Sequence, residues 1–254
     1  MKQRIITGLA ITAVVLPTFL YGGLPFKVLV FLFIAFGVYE AYAIKKDVWP
    51  LWIYGLMIAV VLLMANYNLE ILFISFLILL MGLYLLSVLF PWFSPVDVSY
   101  IFAMLFLFTG ALRAVLMVVN IGRLELIYIL VVTYLTDSGA YFAGYLFGKH
   151  KLNERISPKK TIEGAIGGWL IGALLGIAYA YLWIQKLDFN FMLIASFILP
   201  IFAQLGDLSF SSIKRYFGIK DFGTLFPAHG GVLDRIDSLL FSLLAFFILL
   251  VIIL

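Results

Sequence analysis

"EILFISFLILLMGLYLLSVLF", residues 70–90, decides the fold. After Glu70 no charged side chain appears until the run ends. A helix of about 20 residues rises roughly 30 Å, the thickness of a bilayer's hydrocarbon core. In lipid the backbone must satisfy its own hydrogen bonds, which only helices and closed barrels achieve. Apolar and polar residues do not alternate here, as a barrel strand requires. The stretch therefore predicts a transmembrane helix. Working outward, eight further runs of the same kind appear, at about 5–21, 25–44, 49–65, 99–119, 124–148, 163–183, 190–210 and 237–254. Turn residues punctuate the gaps: Gly22-Gly23 with Pro25, Pro50, Asn66-Tyr67-Asn68, Pro91 with Pro95, and Asn120-Ile121-Gly122. The fold class is all-α, a polytopic integral membrane protein of about nine transmembrane helices.

Composition agrees. The chain is 65% hydrophobic and 12% charged, whereas a soluble domain is nearer a quarter charged. Met1-Lys2-Gln3-Arg4 precedes the first run as in a signal peptide, but no small-residue cleavage pattern follows, so the run is read as a helix. The absence of cysteine excludes disulfides, thiolate catalysis and Cys-based zinc sites. Cationic loops favour the cytoplasm. With the N-terminus cytoplasmic and nine crossings, 13 of the 17 Lys and Arg residues fall inside; Lys27, Arg113, Arg123 and Lys186 fall outside or near the outer end. This places the polar connections near 149–162 and 211–236 on the cytoplasmic side. Residues 1–122 read as scaffold, with Glu40 and Arg113 their only clear intramembrane charges. Residues 123–254 read as the catalytic region. No internal repeat is visible.

Two constellations could carry chemistry. The first is "TDSGAYFAGYLFGKHKLNERISPKKTIEG", 136–164. An acid such as Asp137 in mid-span costs a few kcal/mol to insert, so it faces a cavity or a partner. Ser138, Gly139, Ala140, Ala143 and Gly144 suit close helix contact. Lys149, Lys151 and Arg155 satisfy topology or touch anionic lipid. Lys159 and Lys160 beside Ser157-Pro158 resemble a helix start able to hold phosphate. "GYLFGKH" is not a Walker loop, lacking its glycine gap and its Ser/Thr after the lysine.

The second is "KDFGTLFPAHGGVLDRIDS", 220–238, with the segment before it. If the eighth helix continues past 210, Ser211, Lys214 and Arg215 follow Asp207 on one face, at i+4, i+7 and i+8. Lys220, Asp221, His229, Gly230, Gly231, Asp234, Arg235 and Asp237 come next, the last acids sharing a face at i, i+3. Acids at a helix N-terminus complement its dipole, but one suffices for that. Interleaved acids and cations at the membrane boundary point to metal plus phosphates: carboxylates hold Mg²⁺ with substrate phosphate completing the shell, and Lys and Arg neutralise phosphate oxygens. Gly230-Gly231 lets backbone N–H groups approach an anion. His229 is a proton donor, a phosphate ligand or a turn residue. Neither His has a second at zinc spacing.

Ser211, Lys214-Arg215, Lys220-Asp221, Gly223, Phe226-Pro227, His229-Gly230-Gly231-Val232 and Asp234-Arg235-Ile236-Asp237 together resemble the signature of the phosphatidate cytidylyltransferase (CDP-diacylglycerol synthase) family. Thr136-Asp137-Ser138-Gly139-Ala140-Tyr141 through Gly148-Lys149 resembles it too, as does Ser157-Pro158-Lys159-Lys160-Thr161 with Glu163-Gly164. The likeness covers roughly 130–240. Ala228 stands where the family usually has glycine. Phe210 stands where many members have an acid, so no ligand role is carried to it.

The resemblance implies that CTP and phosphatidic acid give CDP-diacylglycerol and pyrophosphate. It implies a divalent metal, usually Mg²⁺, a second cation such as K⁺, and a homodimer in a membrane, with membrane lipid and no nucleic acid as partner. Asp207 and Asp234 are then the first choices as metal ligands, with Asp137 and Asp237 as outer groups or ligands of a second cation. Lys159, Lys160, Lys214, Arg215, Lys220 and Arg235 become candidates for the triphosphate or lipid phosphate, and Ser211 lies among them. His229, Gly230 and Gly231 shape the phosphate loop. A transporter would show repeats and broken midplane helices. An enzyme consuming CDP-diacylglycerol would resemble a "DG…AR…G…D…D" pattern, which is absent. The compact length points to a bacterial plasma membrane.

Overall fold

The computed structural model describes residues 17–18, 21–226 and 230–253. The expected first span lies outside them but for Pro17, Thr18 and Tyr21, and His229 lies outside as well. Eight helices are described: α1 (Gly23–Ala43), α2 (Leu51–Met64), α3 (Leu69–Leu89), α4 (Pro95–Ile121), α5 (Arg123–Phe147), α6 (Ile162–Trp183), α7 (Phe189–Tyr216) and α8 (Leu233–Ile253). A two-stranded hairpin, β1 (Lys151–Asn153) and β2 (Ser157–Thr161), links α5 to α6. Seven of these helices are long and apolar enough to cross a membrane; α2, with 14 residues, is shorter. The protein is an all-α, multi-pass membrane protein. On α3, Phe73, Ile78, Met81 and Val88 are each at least 65% exposed. An apolar face of that extent suits acyl chains, not water.

The chain folds as two compact units. The first holds the described residues through Arg113 together with Asp221–Asp234. Its core gathers around Trp49, which lies 6.0–6.4 Å by ring centroids from Tyr42, Phe93 and Tyr100. Tyr42 Oη donates to Trp49 O at 2.9 Å, and Tyr100 Oη donates to Ala41 O at 3.0 Å. The first bond ties the end of α1 to the segment before α2 and the second ties it to the start of α4, so both buried hydroxyls find a partner, as buried tyrosines require. Lys45 pairs with the buried Asp97 at 2.5 Å, and Asp97 also accepts from Ser94 N and Oγ. Asp97 thus fixes the entry of α4 and holds the end of α1 to it.

The second unit comprises Ala114–Lys220 and Arg235–Leu254. Gly164, Gly168, Gly172 and Gly176 repeat at intervals of four along α6 and are all buried. A Cβ at Gly168 would come within 2.6 Å of Thr136 O and 2.7 Å of the Ala140 Cβ. The stripe therefore lets α6 lie backbone to backbone against α5, the close packing expected of small residues. Tyr128 crosses to the next layer, its hydroxyl 2.8 Å from Ser196 Oγ. Phe210 is fully buried, its ring edge-on to Phe241 at 6.3 Å, so it packs α7 against α8.

One local expectation is corrected. Ser157-Pro158 does not start a helix; it lies in β2, paired with β1 in the register Lys151↔Thr161 and Asn153↔Ser157. A two-stranded ribbon leaves each strand an open edge, where proline's missing N–H costs nothing. The helix starts after Thr161, whose Oγ accepts from Gly164 N at 3.1 Å, a hydroxyl cap.

Candidate active site

In the second unit, α7 runs on to Tyr216, past the apolar stretch, as its polar face anticipated. That extension carries Asp207, Ser211 and Lys214 along one side. Ser211 Oγ donates to Asp207 Oδ1 at 3.4 Å. Lys160, at the end of β2, forms an ion pair with Asp207 Oδ2 at 2.5 Å. The Lys160 and Asp207 side chains are 29% and 30% exposed, so the pair stands at a wet boundary. Asp137, Asp207 and Asp237 lie close enough to act on one another electrostatically, with Lys160 facing Asp137 and Lys214 facing Asp237. Asp237 and Lys214 are both 8% exposed. Ser238 binds both inner acids: its side chain bonds Asp137, and its N–H donates to Asp237 Oδ1 at 2.8 Å.

Three acids thus meet two lysines within one unit, leaving the group net negative. This brings together Asp137, Lys160, Asp207, Ser211, Lys214 and Asp237 from four separated stretches of sequence. Arg215 is turned to carbonyls, Nε to Ile156 O and Nη1 to Ile219 O, both 3.3 Å, tying the hairpin turn to the end of α7. Lys159, Lys220 and Arg235 are exposed. The Arg235 carbonyl accepts from Tyr134 Oη at 3.3 Å.

The first unit holds the other part of the signature. Asp234, in the first turn of α8, accepts on Oδ2 from Phe222 N at 2.8 Å and Gly231 N at 3.0 Å. Phe226 N donates to Gly230 O at 2.9 Å. Gly230 has φ +82°, a left-handed conformation that favours glycine. A side chain there would press on the Asp234 carboxylate, 2.9 Å from Oδ2.

Glu40 was legible only as an intramembrane charge. In the fold it is buried in α1 and accepts from Val232 N on Oε1 at 2.9 Å and from Leu233 N on Oε2 at 2.7 Å. The other scaffold charge, Arg113, donates from Nη1 to Ala65 O and Tyr67 O. Both groups are committed to backbone partners, which is how a structural charge in a membrane is satisfied. Glu163, in the first turn of α6, is a second residue whose task sequence did not reveal. It accepts from Lys149 N at 3.1 Å and His150 N at 3.2 Å, and meets His150 Nδ1 at 2.6 Å. Those bonds fix where the hairpin leaves α5. An acid three residues past a Ser-Pro-Lys-Lys run was the available signal.

Among the described residues, no three His, Asp or Glu side chains already converge as a finished metal site. The donor chemistry nevertheless fits a hard cation. Carboxylate oxygens predominate, the group is net negative, and Mg²⁺ needs only one or two protein oxygens when phosphates and water complete its shell.

A profile of the Cytidylyltransferase family matches residues 2–253. The phosphatidate cytidylyltransferase of Bacillus subtilis (strain 168) is 34% identical over 256 residues, covering 95% of this chain and 94% of that protein. The protein of the same name from Staphylococcus haemolyticus (strain JCSC1435) is 48% identical over 122 residues, and that from Staphylococcus aureus (strain COL) 46% over 126. In each staphylococcal match the chain spans about half the relative's length, 47%, and 48% of its own.

Proposed function

From the premise that the chain belongs to the cytidylyltransferase family, we propose that it transfers CMP from CTP to phosphatidic acid, at the cytoplasmic face of a bacterial membrane. The products are CDP-diacylglycerol and pyrophosphate. The observation that carries this reading is the meeting of Lys160 and Lys214 with Asp137, Asp207 and Asp237 at the end of an apolar helix bundle. Acids and cations mixed at a boundary suit a polyanionic nucleotide that must meet a lipid.

A phosphatidate oxygen attacks the α-phosphorus of CTP. The new P–O bond forms in line with the bond to the bridging oxygen, which breaks and leaves with pyrophosphate. The nucleophile is already anionic near neutral pH, so no strong base is required. The protein's task is to position the reactants and neutralise charge as it moves onto the leaving group. Lys160 and Lys214 serve the phosphates, with Lys159, Arg215, Lys220 and Arg235 as outer cations. Lys160 exchanges its bond to Asp207 for one to a phosphate oxygen as substrate enters. Asp207, backed by Asp137 and Asp237, is the ligand we assign to Mg²⁺, and Asp234 is carried as a candidate ligand from its place in the signature. Bound there, Mg²⁺ supplies positive charge to the phosphate oxygens. Gly230 and Gly231 leave room for the Asp234 and Glu40 carboxylates before α8. The lipid chains lie along the exposed apolar helix faces, and a homodimer and a second cation such as K⁺ belong to the same proposal.

The test is direct. Purified protein with phosphatidate, Mg²⁺ and CTP should yield CDP-lipid and pyrophosphate in equal amounts, and Asp207→Ala should abolish both while inserting and extracting normally. CTP consumed without lipid product contradicts the assignment.

A further inference from the structure

Glu40 lies 192 residues before Val232, in a helix with no other acid, yet it is the partner of the signature's backbone. Four backbone N–H groups around that turn, three of them successive, depend on two carboxylates. Asp234 takes the N–H groups of Phe222 and Gly231; Glu40 takes those of Val232 and Leu233. The last two donors are at the start of α8, where helix N–H groups have no intrahelical partner and must be satisfied from elsewhere. Gly223 and Gly231 both press on Glu40: a Cβ at either position would run into its carboxylate. The turn is thus moulded around this one side chain, with no room for a bulkier arrangement.

We infer that Glu40 is a positioning residue for the reaction: its carboxylate holds the first turn of α8 and the Gly230-Gly231 pair in the shape that sets Asp234. The chemistry requires glutamate. Each oxygen accepts one N–H, whereas glutamine of the same size keeps a single accepting oxygen and turns its NH₂ group toward the other donor. Leaving that donor unmet inside the protein is costly, and the cheapest relief is for the turn to open. Asp234 then swings from its place, and reacting groups misplaced by about 1 Å lose up to a hundredfold in rate. Remote packing alone would not need two oxygens aimed at two successive amides.

The kinetic arm of the test rests on the proposed cytidylyl transfer; a labelling arm does not. The chain has no cysteine, so Thr224→Cys, at an exposed position between Gly223 and Leu225, gives a single thiol reporting on the turn. Glu40→Gln should lower kcat about tenfold or more, with KM for CTP changing less, and should speed maleimide labelling at position 224 about fivefold or more. Gly223→Ala leaves Glu40 in place but presses on it, and should give the same two changes. The double variant should fall well short of the product of the singles, because both act through one contact. Glu70→Gln, at an exposed acid in α3, should leave both readouts unchanged. Values of kcat and labelling within about twofold of the parent in Glu40→Gln overturn the inference. So does activity that falls only in step with the folded fraction while labelling stays constant. If the parent makes no CDP-lipid, the reaction assignment fails, and the labelling rates still decide the role of Glu40.

Discussion

Replacing Lys160 by methionine keeps the side chain's length and apolar stem and removes its charge. The structure separates what this should do to stability from what it should do to catalysis. The Lys160–Asp207 pair is short, 2.5 Å, but both side chains are about 30% exposed. Water screens such a pair, and exposed ion pairs contribute at most about 1 kcal/mol. Asp207 keeps its bond from Ser211 in the variant. For a chain of this size the melting temperature should therefore fall by no more than about 4 °C. Catalysis should respond differently. A donor aimed at charge that develops during phosphoryl transfer is worth roughly a hundredfold or more in kcat, or about 2.7 kcal/mol at 1.36 kcal/mol per decade. Lys160→Met should thus lose about a hundredfold in kcat while remaining folded, and Lys160→Arg should recover part of it. Single-turnover CMP transfer in detergent–lipid micelles, read beside a melting curve on the same preparation, checks this. A loss of less than about threefold in kcat would refute the reasoning, as would a collapse in stability that accounts for the lost activity.

Other expectations follow from separate contacts. Gly168→Val drives a side chain into Thr136 O and Ala140, so it should cost about 1–3 kcal/mol, seen as earlier thermal unfolding in detergent. Asp207→Asn should raise the Mg²⁺ concentration for half-maximal turnover by about tenfold or more, since a neutral amide is a poor ligand for a hard cation; an unchanged Mg²⁺ curve would remove Asp207 from the metal site. Glu163→Gln weakens the bonds to Lys149 and His150, so protease should cut the 149–161 hairpin faster while the melting temperature moves by less than about 3 °C.

The membrane fold was readable because its signal is hydropathy accumulated over whole segments. The run at 70–90 reappears as α3, Leu69–Leu89, and the punctuation at Pro50 and Asn68 marks the starts of α2 and α3. Local polar structure was less readable. Ser157-Pro158 carried a helix-start pattern, but ribbon pairing with β1 took precedence and moved the start to the Thr161 cap. The spacing of Asp207, Ser211, Lys214 and Arg215 depended on the helix continuing past 210; α7 does run to Tyr216, and Ser211 bonds Asp207 across one turn. The role of Glu40 could not be read. Nothing near it in sequence prefigures Val232 or Leu233, because the contact exists only after segment 221–234 groups with the N-terminal helices. Likewise the lysines at 160 and 214 looked equivalent to their neighbours 159 and 215. Only folding aims the first pair at carboxylates, leaves Lys159 exposed and turns Arg215 to carbonyls.

The most direct measurement follows the α-phosphorus. CTP labelled at that atom is incubated with purified protein, phosphatidate and Mg²⁺, and the lipid and aqueous phases are separated. The label should enter the lipid phase as CDP-diacylglycerol, one pyrophosphate released for each, and only when phosphatidate is present. Label that stays in CTP, or appears as free CMP while phosphatidate is unchanged, would contradict cytidylyl transfer.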